Sequence, residues 1–274
     1  MTEFVYTIMY SSLFFYICNK ICNKICNKIC NNVYINKIYK LTETTFDSRN
    51  TTYICTDTNT FIKKSYKHEY ETLIKLKHVD EVIDVIRLDV IRIDDEYIYY
   101  ITMPYLETWK CLYLCNNDIK VFTRLFLKIC YGLEKIHAAG VLHCDIKPDN
   151  IMVSPEEEIV FIDFEETGGT SGYIAPEIIH DKYDESIYTT MVDIWSLGMT
   201  MLNLYMDDYT NDIYECNNTN IEQYINKMMI HSSSTGADRE IAGLLVKILR
   251  IVPAERIGLI HIIEELELIK SKMG

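Results

Sequence analysis

His143-Cys144-Asp145-Ile146-Lys147-Pro148-Asp149-Asn150 is the stretch on which the reading of this 274-residue chain turns. After a short hydrophobic run it is followed by Asp163-Phe164-Glu165. A carboxylate and an amide lie five positions apart, and a second carboxylate follows 18 positions after Asp145. A phosphoryl-transfer site needs this layout. One acid receives the proton of the accepting hydroxyl, while an amide and another acid hold the metal ions that shield the phosphates. A lone His-x-Asp pair would mean little, since most such pairs are surface or turn residues. Here the pattern continues downstream in fixed order.

Gly169-Thr170-Ser171-Gly172-Tyr173-Ile174-Ala175-Pro176-Glu177 comes next, then Asp193-Ile194-Trp195-Ser196-Leu197-Gly198, then Arg256. With the first two segments these make five motifs in one order. Together they resemble the eukaryotic-type protein kinases: the H-R-D-L-K-P-x-N catalytic loop except at Cys144, the D-F-G triplet except at Glu165, the end of the activation segment with its A-P-E, and the D-x-W-S-x-G of the central large-lobe helix. In that family an arginine at the place of Arg256 pairs with the A-P-E glutamate, here Glu177. The resemblance covers about residues 40–274 and is strongest over 125–200. It implies an α+β, two-lobed protein kinase-like fold, with a small β-rich lobe at about 40–103 and a larger helical lobe at about 107–274. It also implies ATP and Mg²⁺ as cofactors and protein substrates bearing Ser or Thr, since Lys147 stands where serine/threonine kinases carry the lysine that contacts the transferring phosphate. Asp145 would be the catalytic base, and Asn150 and Asp163 the metal ligands. Glu177, Arg256, Asp193 and Trp195 would brace the large lobe, and Tyr173 reads as core.

The small lobe matches more thinly. Thr51-Thr52-Tyr53-Ile54-Cys55 and Thr60-Phe61-Ile62-Lys63-Lys64 read as two strands around a polar turn at Asp57-Thr58-Asn59. Phe61-Ile62-Lys63 resembles the end of the kinase V-A-I-K, which makes Lys63 the nucleotide lysine. Lys64 is its competitor, because strand alternation lets only one of the two face the nucleotide. A helical spacing of apolar residues follows over 69–76. Glu69 is the first choice for the glutamate that pairs with the lysine, with Leu73 one turn on as a buried residue, and Glu71 is the alternative. Only six positions separate Lys63 from Glu69, fewer than kinases usually have. Glu96 to Met103 reads as a strand ending at the gatekeeper, Met103. Pro104 would then offer its C=O to adenine and Leu106 its N–H, a pattern a proline does not disturb because it lacks only the N–H. Met152, just past the catalytic loop, completes the nucleotide-binding candidates.

Three departures from the family stand out. Residues 40–56 contain no glycine, although kinases cover the phosphates with a glycine-rich loop whose backbone N–H groups approach closely; Phe46-Asp47-Ser48-Arg49-Asn50 is the candidate cover. Cys144 replaces the arginine that normally meets a phosphate on the activation loop, and that loop runs only 15 residues from Asp163 to Glu177. Both point to an enzyme that is not switched by activation-loop phosphorylation. Glu165 replaces the glycine of D-F-G and adds a negative charge beside the metal site. It reads either as a rigid, always-in loop or as damage of a pseudokinase kind. A nucleotide- or partner-binding pseudokinase is accordingly the alternative function.

Helices are expected over 117–138, 189–205, 220–231, 237–250 and 258–271, from their apolar periodicity and from Pro253. The net charge of −13 argues against general nucleic-acid binding, which needs basic surface, and suits either plain solubility or a basic peptide substrate. Ten cysteines are present, four of them (Cys18, Cys22, Cys26, Cys30) in an Ile-Cys-Asn-Lys repeat. No disulfide framework or zinc pair emerges, so free thiols and a cytoplasmic or nuclear setting are expected. Residues 1–39 read as a low-complexity extension. Its apolar run over 4–18 is shorter than a membrane span and has no basic residue before it. An acylated surface anchor is one reading of this segment, and expansion of a dispensable repeat is the favoured one.

Overall fold

The computed structural model describes residues 41–46, 51–55, 60–93, 96–112, 118–180, 184–205 and 236–273. The Ile-Cys-Asn-Lys repeat, the tip of the candidate phosphate cover (47–50), the turn at 57–59 and the helix expected over 220–231 lie outside the described residues.

The small lobe is an antiparallel five-stranded sheet in the order β1-β2-β3-β5-β4, built from β1 (Leu41–Phe46), β2 (Thr51–Cys55), β3 (Thr60–Ser65), β4 (Arg87–Ile93) and β5 (Glu96–Pro104). Strand β1 lies opposite β2 with Leu41 facing Cys55 and Phe46 facing Thr51, and the register slips by one residue between Glu43 and Phe46. A slip of this kind twists and bends the strand locally, in the arm where the family's glycines would lie. Helix α1 (Lys67–Lys75) crosses the sheet. It buries Thr72 and Leu73, with Leu76 just beyond its end, while Ile74 faces out. Tyr70 packs on Tyr99 of β5 at 5.2 Å between ring centroids.

The large lobe is helical. Helix α2 (Ile119–Ala138) starts at Asp118, whose carboxylate accepts from Lys120 N and Val121 N at 2.8 and 3.2 Å, the usual way an N-cap satisfies first-turn donors. Ile129, Leu133 and Ile136, spaced by four and three, are wholly buried. Each such side chain contributes about 1.5–3 kcal/mol of apolar burial. A second small antiparallel sheet, β6 (Lys110–Cys111), β7 (Ile151–Val153) and β8 (Ile159–Phe161), frames the catalytic-loop segment. Among the described residues the lobe also holds helices α3 (Pro176–His180), α4 (Thr190–Tyr205), α5 (Gly236–Ile248) and α6 (Leu259–Lys272). Helix α4 is buried almost all round, from Val192 to Leu202, as expected of a helix without a polar face. The lobes meet at the segment between α1 and β4. There Val82 bridges Phe161, Phe161 N donates to Glu81 O at 2.7 Å, and Ile83 N donates to Phe161 O at 3.1 Å. The result is the expected α+β, two-lobed arrangement. Among the described residues no helix is long and apolar enough to cross a membrane.

Candidate active site

Two clusters form the site, one in each lobe. In the small lobe Lys63, on β3, places Nζ 3.0 Å from Glu69 Oε1 and 2.5 Å from Asp163 Oδ1. Burial disfavours its ammonium, but the two carboxylates outweigh that and raise its pKa above the ordinary lysine value. Lys63, the first choice for the nucleotide lysine, reaches both carboxylates. Of the two candidate glutamates, Glu69 is 6% exposed and holds Lys63, whereas Glu71 lies on the outer face, paired with Lys67 at 3.4 Å. The short spacing is resolved by a truncated joint: β3 ends at Ser65 and α1 starts at Lys67, so Tyr66 alone separates them.

In the large lobe the catalytic-loop segment turns between α2 and β7. Asp145 is its centre. Its Oδ2 accepts from Lys147 Nζ at 2.6 Å and from Asn150 Nδ2 at 2.8 Å, and its Oδ1 accepts from Thr170 N at 2.8 Å. Burial would raise the Asp145 pKa, but the Lys147 and Thr170 hydrogen bonds and the lysine charge hold it below the usual carboxylate value. Lys147 Nζ also donates to Thr170 Oγ1 at 2.6 Å. Asn150 spends its amide NH₂ on Asp145, with a second bond to the Asp145 carbonyl at 2.9 Å, so Oδ1 is the amide atom left for a cation.

The loop backbone is held from beneath by α4. Asp193, wholly buried, accepts from His143 N and Cys144 N, each at 2.9 Å, and from the His137 ring at 2.8 Å. This fixes Cys144 at φ 62°, a left-handed conformation that costs a non-glycine residue energy unless its surroundings impose it. His143 stacks on Phe164 at 4.4 Å and accepts from Asp145 N through Nδ1. Burial holds its pKa below the ordinary histidine value, against the pull of Asp193, Asp145 and Asp163. Cys144 is buried as well, which pushes its thiol far up.

The activation segment is tied down along its length. Glu165 N donates to His143 O at 3.1 Å, Gly168 N to the Tyr188 hydroxyl at 3.0 Å and Thr170 N to Asp145. Gly169 sits at φ 110°, and a Cβ there would lie 2.6 Å from Cys144 O, so only glycine permits this approach. Glu177 and Arg256 form the expected pair, two bonds of 2.6 Å each. The Glu165 pKa is raised by partial burial and by Asp145, Glu69 and Asp163, with Lys63 opposing.

The hinge candidates end β5. Met103 is buried opposite Phe61, Pro104 lies opposite Thr60, and Leu106 packs against the core. Met152 sits on β7 opposite Cys111, whose Sγ is 3.8 Å from the Met152 sulfur. Two further contributors were not singled out in the sequence, Ser65 and Tyr188, whereas Asp193, expected to brace the large lobe, does so through the loop backbone. Ser65 carries a signal, because it is two positions from Lys63 on a strand and so shares its face. Tyr188 carries none, since its partner is a backbone N–H.

Comparison with known proteins agrees with this geometry. The family profile described as protein kinase domain matches residues 22–266. Mitogen-activated protein kinase 12 of Danio rerio is 33% identical over 163 residues, covering 53% of this chain and 43% of that protein. Its counterpart in Mus musculus is 35% identical over 157 residues, and mitogen-activated protein kinase 13 of Homo sapiens is 32% identical over 154; each match covers 50% of this chain and 41% of the relative. The matched stretch thus spans less than half the length of each of these relatives. With the five motifs folded into one two-lobed frame and the profile spanning most of its length, the chain belongs to the protein kinase family.

Proposed function

We propose that this kinase transfers the γ-phosphoryl group of Mg-ATP to Ser or Thr hydroxyls of protein substrates, and does so without a phosphate on its activation segment. The observation that carries the reading is the Asp145 cluster: an ionised carboxylate with Lys147, Asn150 and the Thr170 backbone already gathered on it. Asp145 accepts the proton of the attacking hydroxyl as the new O–P bond forms and the bond to the ADP oxygen breaks. Lys147, held by Asp145 and Thr170, faces the transferring phosphate. Lys63, kept in place by Glu69, holds the α- and β-phosphates. Met103, Pro104, Leu106 and Met152 take the adenine side.

The residues fit magnesium. Asp163 offers a half-exposed carboxylate and Asn150 an amide oxygen, hard donors of the kind this ion prefers. Magnesium keeps several waters and substrate phosphates as ligands, so two protein donors would suffice to hold it. When bound, magnesium neutralises phosphate charge.

Independence from loop phosphorylation is supported by the bonds from Glu165, Gly168 and Thr170, which order the segment through His143, Tyr188 and Asp145, and by Cys144 in place of an arginine. The intracellular setting belongs to the same proposal. A second reading, a nucleotide-binding scaffold, draws on Glu165 and on the glycine-free residues 40–56. Purified protein with Mg-ATP and a basic Ser/Thr protein substrate, beside Asp145→Asn and Asp163→Ala, separates the two. Transfer well above both variants is expected. A thermal shift with ATP and no transfer supports the scaffold. Phosphate on Thr167, Thr170 or Ser171, found by mass spectrometry and required for activity, overturns the independence.

A further inference from the structure

We propose that Ser65 is a positioning residue for nucleotide binding: its hydroxyl latches Glu69 onto Lys63 across the one-residue joint between β3 and α1. The inference rests on the reading of Lys63 as the phosphate-holding lysine.

Ser65 is 7% exposed, and its Oγ donates to Glu69 Oε2 at 2.6 Å; the Tyr66 carbonyl lies farther off at 3.2 Å. Glu69 thus spends one oxygen on Lys63 and the other on Ser65. It stands in the first turn of α1, where a glutamate ordinarily serves the helix end. Here it is turned back to the strand instead, and the N-cap, Tyr66, makes no side-chain capping bond. A buried acceptor left without a donor is costly, and a bond to a carboxylate is a strong one; Ser65 supplies the donor for Oε2.

The consequence reaches Asp163 through Lys63. The lysine sits between two carboxylates, Glu69 and Asp163. With Glu69 fixed by Ser65, part of the ammonium's charge stays in the small lobe, and Asp163 is left the freer to take a cation. Without the latch Glu69 loosens, and Lys63 leans on Asp163 in competition with the metal. The effect therefore falls on binding of Mg-ATP rather than on the rate once it is bound.

The test is initial-rate kinetics on the full chain, with Mg-ATP varied, beside calorimetric titration of Mg-ATP, whose Kd is expected to rise together with KM, for Ser65→Ala, Ser65→Cys, Ser65→Thr, Glu69→Gln and the Ser65→Ala/Glu69→Gln pair. Ser65→Ala, and Ser65→Cys, which keeps the volume but donates weakly, raise KM for Mg-ATP roughly five- to twentyfold with kcat nearly unchanged. Ser65→Thr restores most of the loss. In the Glu69→Gln background Ser65→Ala adds almost nothing, because the two act through one contact. A wild-type KM in both Ser65→Ala and Ser65→Cys, equal fold-changes in the two backgrounds, or a loss confined to kcat overturns the latch. If Ser65→Ala does not fold, Ser65→Cys decides by the same criteria. Lys63→Met is the control for the underlying reading. Full transfer by Lys63→Met overturns the role of Lys63, whereas an inert Lys63→Met beside an unaffected Ser65→Ala overturns the latch alone.

Discussion

Replacing Arg256 by alanine should strongly destabilise the large lobe. The guanidinium is wholly buried and all five of its N–H donors are used. Nε donates to Arg250 O at 2.7 Å, Nη1 to Glu177 Oε1 at 2.6 Å and Met191 O at 2.9 Å, and Nη2 to Glu177 Oε2 at 2.6 Å and Ile251 O at 3.2 Å. The plane also lies 5.0 Å from the Trp195 ring centroid. Alanine strands the Glu177 carboxylate, which is 13% exposed, and removes the donor from three carbonyls. Losing one partner of a buried ion pair costs about 3–5 kcal/mol. In a domain of this size each kcal/mol moves the melting temperature by about 2–4 °C, so a fall of roughly 10 °C is expected by differential scanning calorimetry. Arg256→Lys keeps the charge but not the fork, and should lose more than half as much. Arg256→Met with Glu177→Leu should recover part of the loss, since no charge is then left buried alone. A melting temperature for Arg256→Ala within 2 °C of the wild type, which corresponds to about 1 kcal/mol or less, would refute the reasoning.

Gly169→Ala forces a Cβ to 2.6 Å from Cys144 O at a φ that alanine resists. It should displace Thr170 from Asp145 and lower kcat about tenfold or more, and an unchanged kcat speaks against that contact. Tyr188→Phe removes the hydroxyl that accepts from Gly168 N and should raise amide exchange at 166–169 while leaving the melting temperature within about 2 °C. Equal exchange in both proteins counts against a tie at that point. His143 is buried with its pKa below the ordinary 6.5. The unfolded chain therefore binds a proton that the folded protein refuses, and stability is lost as pH falls below that value and regained above it. His143→Phe should shrink the difference in melting temperature between pH 5.5 and 7.5, and an undiminished difference means other groups dominate.

Much of the site was legible because its chemistry is written in contiguous segments. The loop from His143 to Asn150 and the triplet at Asp163 needed only their order and spacing. The long helices were legible for a different reason: the apolar residues of α2 recur at helical intervals over its whole length, and its ends fell within two residues of expectation. Strand β5 showed itself through its Tyr and Ile residues. Strands β6, β7 and β8 did not, because two or three residues cannot display an alternation, and Ile151–Val153 with Ile159–Phe161 read as plain apolar runs. Strand β1 has three Thr and one Glu among its six residues and apolar residues only at its ends, so it shows no alternation. Strand β4 alternates over Arg87–Val90 and again over Ile91–Ile93, a signal the sequence carries although no strand was expected there. The choice of Lys63 over Lys64 and Glu69 over Glu71 depended on which side of β3 and α1 faced inward. Local sequence left that open, and the packing of α1 on the sheet decides it. The Tyr188 tie was illegible in principle, because a side chain that meets a backbone N–H leaves no partner residue to recognise.

The joint between β3 and α1 bears on the order in which the molecule assembles. Lys63 and Glu69 are six residues apart, whereas Lys63 and Asp163 are 100 apart and Arg256 and Glu177 are 79 apart. Closing so short a loop costs little chain entropy, while the longer closures cost more. The Lys63–Glu69 contact therefore needs far less chain entropy than the one to Asp163, and a segment brought in from 100 residues away meets a charge that already has a local carboxylate partner.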